Sequence, residues 1–280
     1  MHEPIQELER RGHSVTVVSP LRSGVVPAET VIAAIRPETK FVAMMLANNE
    51  TGVVQPVAAV GRVCRERGIH LHCDAVQAAG KINVDVNALG VDTLALSAHK
   101  LHAPKGIGAM YVRGGLSLDR YLFGGAQERR RRAGTENVPL AVAFGLAAEL
   151  ARDVTPRARV RALRDRFEAA IAPLGCTING AEVERLPNTT SVTFDDADGE
   201  GIVIGLDLAG IAVSTGAACS SGRIEPSHVL TAMGLTEKEA RATIRVSLSR
   251  FTTADEIDRA VAVLDEVVPR TRPEVLSPGS

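Results

Sequence analysis

The sequence predicts an α/β protein with a mainly parallel sheet, divided into two domains at residues 1–153 and 154–280. Short apolar segments alternate with stretches of helical spacing, the pattern of parallel strands joined by helices. Turn-forming residues separate these segments, for example Gly68 after a helical stretch and Asn48-Asn49 after an apolar one. The 280 residues are enough for two modest domains with buried cores.

In the first domain the chain begins with the end of a helix, which Gly12 stops. Residues 104–108 form a tight turn before a strand, which we therefore expect to run antiparallel to its neighbour. Residues 124–138 are polar and Gly-rich, and this loop is longer than a connection requires. Helices are predicted at 4–11, 27–36, 57–67 and 139–153, and strands at 14–18, 39–46, 69–73, 93–96 and 109–112.

The second domain begins with a predicted helix that is charged and amphipathic. The residues from Thr252 to Glu256 resemble a helix cap, which predicts the N-terminus of the last helix. Helices are predicted at 157–172, 199–209, 224–233 and 253–268, and strands at 190–194, 211–214 and 243–248.

Composition excludes several classes of function. Apolar residues make up 45% and charged residues 23%, and the formal net charge is -1, so neither nucleic acid nor an anionic membrane is expected as a main partner. The arginine run 129–132 is the local exception, with either a solvated loop or an anion or subunit contact as its role. We find no apolar stretch of about 18 residues and no signal-peptide core. The four cysteines form no CxxC pair, which argues against zinc or disulfides and for a reducing cytoplasm.

Asp74 and Lys100 follow two neighbouring predicted strands. Parallel strands place their carboxyl ends at the same edge of a sheet, where α/β proteins hold their ligands. An amine and a carboxylate are what pyridoxal 5'-phosphate (PLP) requires: one to bond its aldehyde and one to keep its ring nitrogen protonated. A strand-end carboxylate and a solvated amine remain the ordinary alternative for this pair.

Eight segments along the chain together resemble the cysteine desulfurases, PLP enzymes of the class V aminotransferase group with the type I transferase fold. Each is weak alone, but all occur in the family's order. They are ANNETG (47–52), HCDAVQAAGK (72–81), LSAHKLHAPKGIGAMYVR (96–113), RRAGTENVP (131–139), NGAEVERLPNTTSVTF (179–194), STGAACSSG (214–222), EPSHVL (225–230) and IRVSLSRFTT (244–253).

The resemblance implies a PLP site in the first domain. Lys100 resembles the lysine that bonds the cofactor, Asp74 the partner of the ring nitrogen, and Gln77 the donor to the ring oxygen. Ser97 and His99 resemble ligands of the phosphate, where hydroxyl and imidazole donors are suited to an anion. Outside this motif, His99 would be an ordinary loop histidine, and the role of His102 stays open.

Three further residues gain roles from the same resemblance. Asn49 matches the family's cofactor- and substrate-contacting asparagine, although an Asn in a turn is common. Arg245 matches the arginine that binds the substrate carboxylate, for which a planar guanidinium is suited; a strand-end ion pair is the alternative. Thr135 resembles the residue that reaches the phosphate of a neighbouring subunit, so a homodimer is implied.

Cys219 is the expected sulfur-accepting thiol. A desulfurase must hold the sulfur of L-cysteine as a persulfide, on a thiol that meets first the substrate and then an external acceptor. The small and polar residues around Cys219 suit a loop with that task. Cys64, Cys73 and Cys176 are expected to be structural. No resident metal site is predicted, although Cys219 could transiently ligate a cluster on an acceptor.

The resemblance begins late in the family's pattern. Members carry about a hundred further residues at the N-terminus, on the scale of a small domain. That stretch supplies a phosphate-binding turn and a histidine that stacks on the ring, and His2 is not assigned the stacking role. If the chain is complete as given, we expect weak PLP binding and little turnover.

Alternative functions differ in what they require of Cys219. A selenocysteine lyase or a class V aminotransferase could use the same scaffold, but a transaminase has no use for that thiol. A truncated paralogue that only binds partners or dimerises would need no catalysis at all. The sulfur acceptor is open: iron–sulfur scaffold proteins, tRNA thiolation enzymes and DNA sulfur-modification systems are all candidates.

Overall fold

The computed structural model describes residues 2–215 and 226–273. The chain forms two compact units. The first unit consists of Met1–Val15, Val31–Leu46 and Pro56–Val154, and the second of Thr16–Thr30, Ala47–Gln55 and Thr155–Ser280. The division into domains at 1–153 and 154–280 stays a proposal, and each unit is described by itself below.

The elements alternate between helix and strand over much of the chain. The strands are β1 (Phe41–Met45), β2 (His70–Asp74), β3 (Thr93–Ser97), β4 (Gly108–Val112), β5 (Cys176–Ile178), β6 (Thr189–Phe194), β7 (Ser214–Thr215) and β8 (Thr243–Ser247). The helices are α1 (His2–Arg10), α2 (Ala28–Ala33), α3 (Val57–Glu66), α4 (Val86–Leu89), α5 (Gln127–Arg130), α6 (Val138–Leu150), α7 (Thr155–Ile171), α8 (Gly199–Leu208), α9 (His228–Ala232), α10 (Glu237–Arg241) and α11 (Ala254–Arg270).

The first unit is built on a four-stranded sheet with the order β1-β2-β3-β4. β1, β2 and β3 run parallel, whereas β4 pairs antiparallel with β3, so the predicted antiparallel strand is confirmed. Leu71, Cys73 and Leu94 are almost completely buried. Because β2 places alternate residues on opposite faces, His70, His72 and Asp74 lie on the other, half-buried side.

The second unit contains an antiparallel sheet with the order β5-β6-β8-β7. Helices α7, α8 and α11 pack against it around an apolar core. The side chains of this core include Phe167, Ile171, Phe194, Ile244 and Leu264. The α/β fold class, with a mainly parallel sheet and a further α/β part towards the C-terminus, is therefore confirmed.

Several predicted boundaries are wrong. Residues 14–18 form no strand, and Val17 is 70% exposed. Alternation of apolar and polar residues is not enough for a strand, because a strand also needs a neighbour with which to form hydrogen bonds. The predicted strand 211–214 is reduced to β7. The predicted helix 224–233 begins only at His228, where the Ser227 hydroxyl accepts from two backbone amides as an N-cap; residues 224 and 225 lie outside the described ranges.

The predicted cap at the start of α11 is confirmed, and it is a capping box in which Thr253 and Glu256 exchange hydrogen bonds with each other's backbone amides. No described helix has the length and apolar character needed to cross a membrane.

Candidate active site

Asp74 is the last residue of β2 and lies at the carboxyl edge of the first unit's sheet. Its register partners are Met45 on β1 and Ala95 on β3. One carboxylate oxygen accepts the backbone N–H of Val76 at 3.0 Å, which fixes the side chain at the strand end. The carboxylate is half-buried, so it can meet a ligand without losing its support.

The neighbouring strand β3 brings three more polar residues to the same edge: Ser97, His99 and Lys100. Ser97 ends β3, and residues Ala98–Leu101 form a single 3-10 turn that contains the other two. The hydroxyl oxygen of Ser97 lies 2.9 Å from Nδ1 of His99. His99 is exposed and Lys100 is half-buried. The structure thus brings a carboxylate, a hydroxyl, an imidazole and an amine to one sheet edge, as their positions after neighbouring strands predicted.

A glycine allows the antiparallel strand to pair beside this turn. Gly108 is opposite Ser97 in the β3–β4 register. A Cβ atom at Gly108 would lie only 2.7 Å from the carbonyl oxygen of Leu96, a distance no side chain tolerates. The sequence motif around Lys100 therefore includes a glycine for steric reasons as well as polar ligands.

Gln77 lies in the turn that follows Asp74. Its Oε1 accepts a hydrogen bond from Nζ of Lys81 at 3.0 Å, which leaves the amide NH₂ directed away from that contact. The same turn packs against the lysine turn, since a Cβ added at Gly80 would meet Leu101 at 2.6 Å. Gln77 and Lys100 thus lie on two segments in direct contact.

Thr135 is exposed, in the irregular segment between α5 and α6. Preceding it, Glu128, Arg129 and Arg130 have φ values of 49°, 55° and 64°, the left-handed region that non-glycine residues rarely adopt. The predicted role of Thr135, taken from the family resemblance, is towards the phosphate of a second subunit.

Asn49 lies in the second unit, in a buried turn that its neighbour Asn48 organises. The Oδ1 atom of Asn48 accepts the backbone N–H groups of Glu50 at 2.8 Å and Thr51 at 3.0 Å. Gly52 closes the turn with a φ of 76°. Asn49 itself is half-buried at the tip.

Arg245, on β8, contacts this turn although 196 residues separate the partners in the chain. Its Nη1 donates to the backbone carbonyl of Asn49 at 2.9 Å. Its Nε is buried and has no hydrogen-bond partner in the part of the chain that the structure describes. The guanidinium is therefore held at Nη1, while its buried Nε makes no hydrogen bond to a described residue.

Glu50, the neighbour of Asn49 in this turn, is a buried charged residue that sequence reasoning did not single out. The residue is 5% exposed, and one carboxylate oxygen accepts a hydrogen bond from the hydroxyl of Ser227. Burial raises the pKa of Glu50, whereas the hydrogen bond from Ser227 and the positive charge of Arg245 lower it. In the sequence, Glu50 is distinguished only as the one charged residue of the turn segment ANNETG (47–52).

The three described cysteines are poor nucleophiles. Burial raises the pKa of the Cys73 thiol to about 12, and it also raises the pKa of Cys64 and of Cys176. A thiol must ionise to attack sulfur or carbon, so these residues stay inert near neutral pH. Cys219 lies outside the described residues.

The groups at the first unit's sheet edge fit PLP by their chemistry. PLP presents an aldehyde, a basic ring nitrogen and a phosphate. The amine of Lys100, the carboxylate of Asp74 and the donors of Ser97 and His99 match these three features in turn. The half-buried side chains of Asp74, Ser97 and Lys100 leave the edge accessible to a ligand.

Comparison with known proteins identifies the family. Residues 1–260 match the class V aminotransferase family model. A cysteine desulfurase of Nostoc sp. is 46% identical over 277 residues, covering 98% of this chain and 69% of the relative. A cysteine desulfurase IscS of Methanosarcina thermophila is 42% identical over 269 residues, with 95% and 66% covered.

Solved structures agree with this assignment. A NifS-like protein has a TM-score of 0.88 and 35% identity, and the match covers 95% of this chain and 71% of that structure's chain. The chain thus spans roughly two thirds of the length of the relatives it matches. It belongs to the class V aminotransferase family, among the PLP-dependent cysteine desulfurases.

Proposed function

We propose that this chain acts in the desulfuration of L-cysteine to L-alanine, with the sulfur held as a persulfide on Cys219. The observation that carries the proposal is the grouping of Asp74, Ser97, His99 and Lys100 at one sheet edge. These residues supply an amine, a fixed carboxylate and anion donors in a chain of the cysteine desulfurase family.

In the first unit, the residues at the sheet edge and Gln77 together would hold the aldehyde, the ring and the phosphate of PLP. Lys100 bonds the aldehyde, and the carboxylate of Asp74 holds the proton of the ring nitrogen. Ser97 and His99 donate to the phosphate, and the amide of Gln77 donates to the ring oxygen. When bound, PLP withdraws electrons from the amino acid and so weakens the bond between its β-carbon and sulfur.

Thr135 reaches the phosphate of a neighbouring subunit in this proposal, which makes the active protein a homodimer. The exposure of Thr135 supports the role, because a residue that serves a second subunit must be accessible from outside its own unit.

Arg245 and Asn49 hold the substrate in the second unit. The guanidinium of Arg245 binds the α-carboxylate of cysteine, and its contact with the Asn49 carbonyl orients it for that task. The Asn49 side chain, at the tip of the turn, contacts both cofactor and substrate. Fixing the carboxylate orients the sulfur-bearing carbon of the substrate for reaction.

The thiolate of Cys219 attacks the substrate sulfur. A sulfur–sulfur bond forms as the carbon–sulfur bond breaks, and the electron pair of the broken bond passes to carbon. A proton on that carbon completes L-alanine, so one cysteine and one thiol give one alanine and one persulfide without an external oxidant. The raised thiol pKa values of Cys64, Cys73 and Cys176 support Cys219 as the acceptor.

The persulfide passes to an acceptor protein, such as an iron–sulfur scaffold or a thiolation enzyme. One matched relative carries the name cysteine desulfurase IscS. The sulfur-accepting thiol must be free again before each turnover, which favours a reducing cytoplasm as the location. We propose no direct nucleic-acid or membrane partner.

The test is the replacement Cys219→Ser, with Cys176→Ser as the matched control. We expect Cys219→Ser to abolish sulfide release from L-cysteine in the presence of a thiol reductant, and to leave PLP binding unchanged. Cys176→Ser should retain the activity. Sulfide release at the wild-type rate from Cys219→Ser would refute the persulfide assignment.

A further inference from the structure

We propose that Lys81 is a positioning residue that turns the side-chain amide of Gln77 so that its NH₂ group faces the ring oxygen of PLP. The inference rests on the proposed function, in which the amide of Gln77 donates to that oxygen. Lys81 ends the segment 72–81, which carries part of the family resemblance, but that resemblance gives Lys81 no role. In this proposal Lys81 acts on PLP through Gln77.

The backbone of residues 74–82 forms a compact turn that fixes where the Gln77 side chain begins. The carbonyl of Ala75 accepts two backbone N–H groups of this turn and the carbonyl of Ala78 accepts two more, each at 3.0 Å. Ala75 and Ala78 are completely buried. Because the backbone is held in this way, the orientation of the Gln77 amide depends on the contacts of its own side chain.

The turn packs against the segment that carries Lys100. Gly80 has a φ of 74°, and a Cβ atom there would lie 2.6 Å from Cδ2 of Leu101, the residue after Lys100. The turn that holds Gln77 therefore begins at Asp74, the proposed partner of the ring nitrogen, and ends against the segment of the lysine that bonds the aldehyde.

The contact with Lys81 distinguishes the two ends of the Gln77 amide. Nζ of Lys81 donates to Oε1 of Gln77 at 3.0 Å. An ammonium group has three N–H donors and no acceptor, so it binds the amide oxygen and cannot bind the amide NH₂. Rotation of the amide by 180° would bring two donor groups together and lose the hydrogen bond. Both side chains are half-buried, which strengthens the contact relative to one in bulk water.

A ring oxygen with negative charge attracts the NH₂ end of the Gln77 amide and repels the oxygen end. Without Lys81 the free amide would populate both orientations, and PLP would have to select one on binding, at a cost in affinity. Donation by the NH₂ group also draws negative charge from the ring oxygen, which then stabilises a proton on the neighbouring nitrogen of Lys100 less. Lys81 should therefore affect both the affinity for PLP and the pH at which the absorbance of bound PLP changes.

The experiment compares Lys81→Met, which removes the donor but keeps a long side chain, with Lys81→Arg, which keeps a cationic donor. PLP is titrated into each protein and followed by absorbance. For Lys81→Met we expect the Kd of PLP to rise roughly threefold to tenfold, the factor for one lost hydrogen bond. Lys81→Arg should restore most of the affinity. An unchanged Kd in Lys81→Met would overturn the inference.

Lys40→Met is the matched control for the loss of one positive charge. Lys40 is exposed and precedes β1, at the opposite edge of the same sheet. The Kd of PLP in Lys40→Met should match that of the wild type. An equal rise in Lys40→Met and Lys81→Met would show that net charge is the cause, and would overturn the role of Lys81.

A double-mutant cycle with Gln77→Met tests whether Lys81 acts through Gln77. Once Gln77 is replaced, Lys81→Met should change the Kd of PLP no further, since the amide that it orients is gone. If Lys81→Met raises the Kd by the same factor with and without Gln77, the lysine acts on PLP directly and the inference is wrong.

The absorbance of bound PLP gives a second readout, which a general loosening of the fold would not move in one direction. The pH at the midpoint of its change should rise in Lys81→Met, return towards the wild-type value in Lys81→Arg, and stay constant when Lys81→Met is added to Gln77→Met. A midpoint that stays or falls in Lys81→Met would contradict the proposed orientation of the amide.

A third measurement needs neither PLP nor activity. In the ¹H–¹⁵N spectrum, the side-chain NH₂ signal of Gln77 is identified by its loss in Gln77→Met. This signal should shift in Lys81→Met and keep its place in Lys40→Met; an unshifted signal in Lys81→Met would overturn the inference. Should Lys81→Met fail to fold, Lys81→Ala replaces it in each measurement. If the wild type binds PLP but releases no sulfide, the proposed desulfuration fails, while these measurements still decide the role of Lys81.

Discussion

The carboxylate of Asp74 accepts the backbone N–H of Val76 at 3.0 Å, at the end of β2. An asparagine could make the same hydrogen bond through its carbonyl oxygen. The contact therefore separates two properties of Asp74: its place at the sheet edge depends on the hydrogen bond, and its effect on a bound ring nitrogen depends on the negative charge.

Asp74→Asn should consequently retain the fold and lose activity. We expect alanine formation from L-cysteine to fall on the order of a hundredfold, a typical loss for an electrostatic partner of the reacting group. The melting temperature should stay near that of the wild type. Alanine formation at the wild-type rate would contradict the assignment of Asp74 to the ring nitrogen.

The part of the site that lies after consecutive parallel strands was predictable. Asp74 and Ser97 follow apolar segments, and parallel strands bring such residues to one edge whatever the details of packing. The failed strand at 14–18 shows the limit of the same reasoning, since alternation gives no information on whether a neighbouring strand exists to pair with.

The contacts of the second unit could not be predicted from local pattern. Asn49 meets Arg245 across 196 residues, and Glu50 meets Ser227 across 177. Each residue also has an ordinary local role, as a turn residue, a strand residue or a helix cap. Only the packing of the turn 47–52 beside β8 and α9 reveals that they form one network.

Gly61 on α3 should tolerate no side chain. A Cβ atom there would lie 2.1 Å from the carbonyl oxygen of Leu89, at the close approach of α3 to α4. Gly61→Ala must therefore move one helix, and we expect a loss of about 1–3 kcal/mol in the free energy of unfolding. Urea denaturation of Gly61→Ala and of the wild type measures this loss.

Gly145 on α6 is the matched control, because a Cβ there would meet nothing within 4 Å. Gly145→Ala should raise the free energy of unfolding by up to about 1 kcal/mol, through the higher helix propensity of alanine. A similar destabilisation in both variants would contradict the proposed steric cause.

The cysteines should differ sharply in reactivity. With a pKa of about 12, Cys73 is ionised at pH 8 to only about one part in ten thousand. Iodoacetamide should therefore leave Cys64 and Cys73 unmodified in the folded protein and modify both in urea. On the proposed function, Cys219 should react first. Rapid native labelling of Cys73 would contradict its burial in β2.

Glu50 should make stability depend on pH in an unusual direction. Burial raises its pKa in the folded protein, so the folded state binds the proton more tightly than the unfolded chain does. Protonation of Glu50 thus favours folding. The contribution of Glu50 to the free energy of unfolding becomes more favourable as the pH falls through the raised pKa. This gain is complete below the pKa that Glu50 has in the unfolded chain. Above the raised pKa, the ionised group destabilises the fold.

The variant Glu50→Gln isolates this contribution, because the other titrating groups are shared with the wild type. We expect the stability of the wild type relative to Glu50→Gln to increase as the pH is lowered from 8 towards 5, measured by urea denaturation at each pH. Glu182→Gln, which removes one exposed carboxylate from the same unit, should show no such trend. A relative stability that instead decreases on acidification would mean that Ser227 and Arg245 stabilise the Glu50 charge by more than its burial disfavours it.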